Sequence, residues 1–185
     1  MLPWGHAAVG YLCYAALCRY SDGARPGGTA VVALAVGTQF PDLLDKPLAW
    51  YLGVLPSGRS LGHSVLVAAV LAAIVYRLAA EYGRPELGVA FVVGHGTHLA
   101  GDSVYRIAAG EFGELRFFLW PVVSQSGGSG TGYTILEALI ELSKTPAGIF
   151  ESLLFLATTG LWISHRAPGL GVCLDALRSI GSDRG

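Results

Sequence analysis

Residues 92–102 read VVGHGTHLAGD, two histidines and an aspartate set in a run of small and apolar residues. On a helix, His95, His98 and Asp102 fall at i, i+3 and i+7 and share one face. A carboxylate buried alone costs several kcal/mol or takes up a proton, so this face calls for a proton, a cation or a metal as partner. The other residues able to do such chemistry come in short groups. His6 stands in PWGHAAVG, Asp42 and Asp45 in FPDLLDKP, and Arg59 and His63 in GRSLGHSV. Neutral imidazole and carboxylate are the ligand set of hydrolytic zinc sites, which keep one position open for water. The same nitrogen and oxygen donors also suit manganese or iron. Cys13, Cys18 and Cys173 form no CxxC pair and sit in apolar segments, where they read as buried small hydrophobes.

The elements that must position these groups are five apolar segments, 6–19, 28–40, 61–80, 86–101 and 147–164, bounded by Gly, Pro or charge. If successive helices run antiparallel, His6 begins the first, and Asp42 and Asp45 follow the end of the second. Arg59 and His63 then open the third, and His98 and Asp102 close the fourth. All fall at the same end, while Arg19, Arg25, Arg77, Arg84 and Arg166 collect at the other. The expected fold is all-α: an antiparallel helical bundle, membrane-embedded, one domain over residues 1–185, with a His/Asp cluster at one end. His95, one turn before His98, lies deeper and is expected to support the ligands or to pack as a satisfied core histidine, not to bind an ion directly.

Composition supports the membrane. Hydrophobic residues make up 52% and charged residues 14% of the chain, with a mean hydropathy of +0.53. An ordinary soluble domain carries about 25% charged residues, so part of this surface is expected to face lipid. LGHSVLVAAVLAAIVYRLAA (61–80) and AGIFESLLFLATTGLWIS (147–164) approach the ~20 residues that span a bilayer. The shorter segments would cross only with tilt or thinning. The expectation is a multi-pass protein of the cell membrane with its arginine-rich end in the cytoplasm. TILEALIELSK (134–144) is amphipathic, with Glu137 and Glu141 opposite Ile135, Leu139 and Leu142. In the long connection before it, the aromatic part is expected to be ordered and Ser124–Gly132 mobile. Trp120 and Pro121 wall the site or anchor at the interface. A net charge of -1 without a basic tract excludes nucleic acid as a partner. The N-terminus lacks the basic region of a cleaved signal and reads as part of the mature protein.

The order His6, FPDLLDKP, GRSLGHS, GHGTHLAGD, LWP resembles the YdjM-like family of membrane-bound metal-dependent hydrolases, over about residues 4–121. It also looks like a reduced form of the zinc-dependent phospholipase C and single-strand nuclease superfamily, all-helical proteins with multinuclear zinc sites. The resemblance implies that His6, Asp42, His63, His98 and Asp102 are ligands of a divalent metal, zinc by analogy. The later HxxxE helix of those enzymes has no counterpart here, which reduces the expectation to one or two ions. It further implies hydrolysis of an ester or phosphoester, from a lipid or another small molecule, with membrane lipid as partner. In that chemistry the metal lowers the pKa of bound water, Asp42 or Asp45 takes its proton, and Arg59 steadies the anion. Asp45 has the alternatives of solvation or pairing with Lys46, and Arg59 that of an interfacial arginine. A second class of function shares these residues: a metal-binding scaffold, or an ion or proton pathway. A pathway needs polar residues at several depths, whereas these gather at one end.

Overall fold

The computed structural model describes residues 1–124 and 135–182. Every regular element among them is helical: α1 (Pro3–Asp22), α2 (Gly28–Trp50), α3 (Val65–Glu81), α4 (Pro85–Ala108), a 3-10 segment (Phe112–Leu119), α5 (Ile135–Ser143), α6 (Pro146–Ser164) and α7 (Leu170–Ser182). Local chemistry explains the boundaries. Proline opens α1, α4 and α6, where the missing N–H is not needed. Ser64 caps α3 by accepting from the Val67 N–H, and Thr145 caps α6 by accepting from the Gly148 N–H. Gly23, at φ 64°, ends α1 in the left-handed conformation.

Two helices run further than their apolar segments suggest. α2 continues through Pro41 and Pro47 to Trp50, so Asp42 and Asp45 lie within it and do not follow its end. An interior proline costs a helix roughly 3 kcal/mol, and packing offsets it here. Pro41 is fully buried, and its backbone lies against Gly62. α4 likewise passes Asp102 and ends at Ala108, placing His98 and Asp102 inside a continuous helix. α5 matches the amphipathic 134–144 stretch, whereas α7 lies in no segment that hydropathy singles out. Of the expected mobile stretch Ser124–Gly132, all but Ser124 lies outside the described residues.

α2 on α4 is the most extensive helix contact, with α1 and α3 packed on α4 and α6 packed on α1. Glycines set the central crossing. A Cβ at Gly94 would stand 2.5 Å from the Leu34 carbonyl oxygen and 2.9 Å from the Thr38 nitrogen. A compact core of Tyr11, Tyr14, Ala15, Ala30, Leu34 and Ala90 lies beside that crossing.

Much of the remaining apolar surface faces outward. α3 has no buried residue, and α6 exposes Ile149, Phe150, Leu153, Leu156 and Ile163. The cysteines follow this pattern: Cys13 and Cys173 are exposed and Cys18 half-buried, contrary to their reading as buried hydrophobes. Among the described residues one helix, α6, is long and apolar enough to cross a membrane. α3 has 17 residues, about 25 Å of helix against the ~30 Å of a hydrocarbon core. The multi-pass expectation is therefore not supported. Polar residues lower the hydropathy of α1, α2 and α4, and hydropathy windows that include the preceding loop made α3 look longer than it is.

Candidate metal centre

The loop between α2 and α3 is wound around one carboxylate. Asp45, on α2 and fully buried, accepts from the backbone N–H groups of Ser60 (2.7 Å), Gly62 (2.8 Å) and His63 (3.2 Å). It also takes the His63 ring, whose Nδ1 lies 2.8 Å from Asp45 Oδ2. With Nδ1–H donated there, His63 presents the lone pair of Nε2 to the middle of the bundle. From α4, His95 Nε2 donates to the Gly62 carbonyl at 2.8 Å and holds the same loop. His98 is oriented by the neighbouring helix. Its Nδ1–H donates to the Thr38 carbonyl at 2.7 Å, which turns Nε2 inward.

Four groups then converge. His63 Nε2 lies 3.2 Å from His98 Nε2, 3.6 Å from Asp42 Oδ1 and 3.5 Å from Asp102 Oδ2. His98 Nε2 lies 3.8 Å from Asp42 Oδ1. Bonds of about 2.1 Å at tetrahedral angles separate ligand atoms by roughly 3.4 Å. The edges of the Asp42, His63 and His98 triad match that spacing. His6 stacks on His98 with ring centroids 3.7 Å apart, and its Nε2 stands 3.3 Å from Asp102 Oδ1, outside hydrogen-bond geometry. His6, His98 and Asp102 thereby form a second triad, and in each triad the possible ligand atoms lie within 4.8 Å of one another.

Unsatisfied atoms test whether a metal fits. Both ring nitrogens of His6 and Asp42 Oδ1 are buried without a hydrogen-bond partner among the described residues. Two Nε2 atoms facing each other at 3.2 Å also need a proton or a cation between them. A divalent ion bound by His63, His98 and Asp42 satisfies the facing nitrogens and the Asp42 oxygen together. His98 has one inward lone pair, so it serves one ion, and the two triads are not filled separately through it.

The outer atoms of these carboxylates are held by cations. Lys46, one helical turn after Asp42, pairs with Asp42 Oδ2, and Arg59 Nε pairs with Asp102 Oδ2. The N-terminal amine of Met1 lies 2.6 Å from Asp102 Oδ1. Burial works against a charged His63, but hydrogen bonds to Asp102 and Asp45 and the charges of Asp42 and Asp102 outweigh it. Its pKa stands above the usual histidine value. Burial similarly opposes the Arg59 charge, and Asp102 more than restores it. Side-chain exposure is 35% for Arg59, 20% for Lys46 and 10% for Asp42, against 2% or less for His6, His63, His98 and Asp102. The centre therefore opens on the Lys46 and Arg59 side.

The five residues expected as ligands, His6, Asp42, His63, His98 and Asp102, are brought together, and Arg59 borders them. Asp45 is adjacent, but its oxygens face the loop. His95 faces the loop as well. Phe117, not Trp120, stands edge-on to His63, with centroids 6.0 Å apart. The Trp120 carbonyl instead accepts from Ser64 Oγ at 2.6 Å. Lys46 was not singled out as a site residue, although its i, i+4 spacing from Asp42 signals it once α2 is continued. Thr38 acts through its backbone and leaves no side-chain signal.

Neither curated proteins nor solved structures provide a match, the zinc-dependent phospholipases C and single-strand nucleases included. The family model described as YdjM inner membrane protein matches residues 1–167, which contain every residue of the centre. The chain belongs to the YdjM inner membrane protein family.

Proposed function

We propose that this chain is a membrane-bound, metal-dependent hydrolase of an anionic ester, with a phosphoester as the favoured substrate. One observation carries the reading: the inward Nε2 atoms of His63 and His98, 3.2 Å apart, beside the unpartnered Asp42 Oδ1. A divalent ion held by these atoms would lower the pKa of a bound water and polarise the scissile bond. The metal is left as a divalent cation, with zinc favoured by the His and Asp donors.

The residues divide the remaining work. His63, His98 and Asp42 Oδ1 would hold the ion, and Asp45 fixes the ring of His63. Asp45 has four donors on its oxygens, which disqualifies it as the base. His6, with both nitrogens bare and Asp102 beside Nε2, is the group placed to accept a proton. Lys46 and Arg59 line the opening. The carboxylates of Asp42, Asp45 and Asp102 are balanced by Lys46, Arg59 and the Met1 amine, and a divalent ion would make the sum +2. A centre of that charge attracts an anion, and the Arg59 guanidinium meets a phosphate in two-point geometry.

The test is metal analysis of detergent-purified protein together with hydrolysis of a nitrophenyl phosphodiester. About one divalent ion per chain is expected, with turnover abolished by chelation and by His63→Ala. Wild-type protein that holds no metal refutes the centre. Metal at full occupancy with no hydrolysis of carboxylic or phosphate esters replaces the enzyme with a metal-binding scaffold.

A further inference from the structure

Among the described helices α7 packs on α2 alone. The chain turns out of α6 through Arg166 and Ala167, left-handed at φ 70° and 48°, and then through Gly169 at φ 95°. α7 is seated where Gly169 meets Gly28 in the first turn of α2. A Cβ added at Gly28 would stand 3.2 Å from the Gly169 nitrogen and 3.4 Å from Val172 Cγ2. Beyond that contact no described residue covers the helix, and residues 170–181 are all exposed.

The exposed residues are sorted by side. At about 100° per residue, Leu170, Cys173, Leu174, Leu177 and Ile180 fall within an arc of about 120°. Asp175 and Ser179 lie opposite, with Arg178 at the edge. Val172, the contact with α2, stands roughly 140° from the middle of the apolar arc, so the bundle holds α7 from behind and the arc faces away. Thirteen residues make about 20 Å of helix, short of a ~30 Å hydrocarbon core, so α7 does not cross a bilayer. Nor does the arc suit a second copy. A strip of ~20 Å by ~10 Å is about 200 Å² on each partner, against the ~800 Å² of a stable interface. A short helix with one apolar and one polar side lies in the plane of a bilayer surface. Continuity and charge point to that surface here. α6, which leads into α7, is the helix suited to cross, and it exposes Leu153, Leu156 and Ile163. Exposed Arg25 and Arg166 come shortly before the two glycines that meet. Exposed Arg84 joins them by donating to Thr29 Oγ1 at 2.7 Å. Arginines at this level meet lipid phosphates.

We propose that α7 is an in-plane membrane anchor, with its Leu170, Cys173, Leu174, Leu177 and Ile180 side set among acyl chains just below the phosphates of one bilayer face. Through Gly169 and Val172 it fixes the first turn of α2 at headgroup level. The anchor lies beyond residues 1–167 of the family match, and it stands independently of metal and of hydrolysis.

The test uses full-length protein in vesicles of phosphatidylethanolamine and phosphatidylglycerol, in a Cys13→Ser, Cys18→Ser background that keeps wild-type thermal melting. A nitroxide is placed on Cys173, in the apolar arc, or on Ser179→Cys, opposite it, with Cys173→Ser. Collisions with oxygen, which concentrates in hydrocarbon, and with a water-soluble nickel chelate read the surroundings of each label. Oxygen should dominate at Cys173 and nickel at Ser179→Cys, each several-fold. Leu174→Glu with Leu177→Glu should raise nickel contact at Cys173 to the level seen at Ser179→Cys. Equal nickel contact at both positions means a helix in water and overturns the proposal. Oxygen dominance at both means a helix sunk in hydrocarbon, and exclusion of both reagents from Cys173 means a protein partner such as a second copy; either overturns it too. So does a Cys173 signal unchanged by the two glutamates, which would show that the label, not the helix, seeks lipid.

Discussion

Asp45→Asn separates a carboxylate that orients from one that reacts. Asp45 Oδ2 accepts from the Ser60 and His63 N–H groups and from His63 Nδ1, and Oδ1 accepts from the Gly62 N–H. An asparagine would keep its oxygen where three donors converge. Its amide would then face the Gly62 N–H, donor against donor. A buried N–H without an acceptor costs about 1–3 kcal/mol, and the remaining bonds lose the advantage of a charged acceptor, roughly 1 kcal/mol more. We expect the variant to be about 2–4 kcal/mol less stable, still folded in detergent, and looser in the 57–63 loop. His63 then loses the carboxylate that fixes its ring, and metal affinity should fall 10–100-fold. Thermal melting reads the first effect, and competition with a chelator of known affinity reads the second. If Asp45→Asn keeps both stability and metal affinity but loses turnover, Asp45 takes part in the reaction and the assignment of its role is wrong.

Four further outcomes follow from the same geometry. His63→Ala and His98→Ala should empty the centre, while His95→Ala, which releases only the Gly62 carbonyl, should retain metal more weakly; equal loss in all three, by metal stoichiometry, would refute the division. His6→Ala and Arg59→Ala should both keep metal, the first losing turnover and the second raising KM for an anionic ester, and loss of metal in His6→Ala would make His6 a ligand. Because the carboxylates raise the His63 pKa, a proton competes with metal at Nε2. Affinity should be flat above that raised pKa and fall about tenfold per pH unit below it; a flat profile from about pH 5 to 8 would show that His63 does not bind the ion. Gly94→Ala places a Cβ against the backbone of Leu34 and Thr38; it should cost about 1–3 kcal/mol and lower metal affinity, whereas Gly96→Ala, with open space around it, should do neither.

The donors of the centre were legible in the sequence because they obey a simple geometric rule. Successive antiparallel helices reverse direction, so His6 near the start of α1, Asp42 in the second half of α2, His63 just before α3 and His98 past the middle of α4 come to one level. His98 and Asp102, at i, i+4, needed only one helix turn. The surroundings of Asp45 were not legible, because three of its four donors are backbone N–H groups of a loop, and backbone donors carry no residue signature. The course of α2 was hidden by Pro41 and Pro47, which end most helices. Here burial of Pro41 against Gly62 keeps the helix intact and turns Asp42, Asp45 and Lys46 into one connected face. The multi-pass expectation goes unsupported by helix length and hydropathy for the reason that makes the site possible. α1, α2 and α4 give their inward positions to His6, Thr38, Asp42, His98 and Asp102, and so lose the uniform hydropathy of a spanning helix.

Packing and chemistry in this molecule share the same atoms. At the α2–α4 crossing Gly37 and Gly94 let the backbones touch, with Phe40 and Phe91 packed edge-on beside them. That close approach brings the Thr38 carbonyl within 2.7 Å of His98 Nδ1, and the same helix carries Asp42 to His98 from one turn further on. Widening the crossing by one methyl group would lengthen the hydrogen bond that orients His98 and move Asp42 away from it. The glycines therefore belong to the centre as much as its ligands do, although none touches an ion. Stability and metal affinity should fall together in variants at the crossing and separately in variants at the opening, where Lys46 and Arg59 contact the carboxylates from outside.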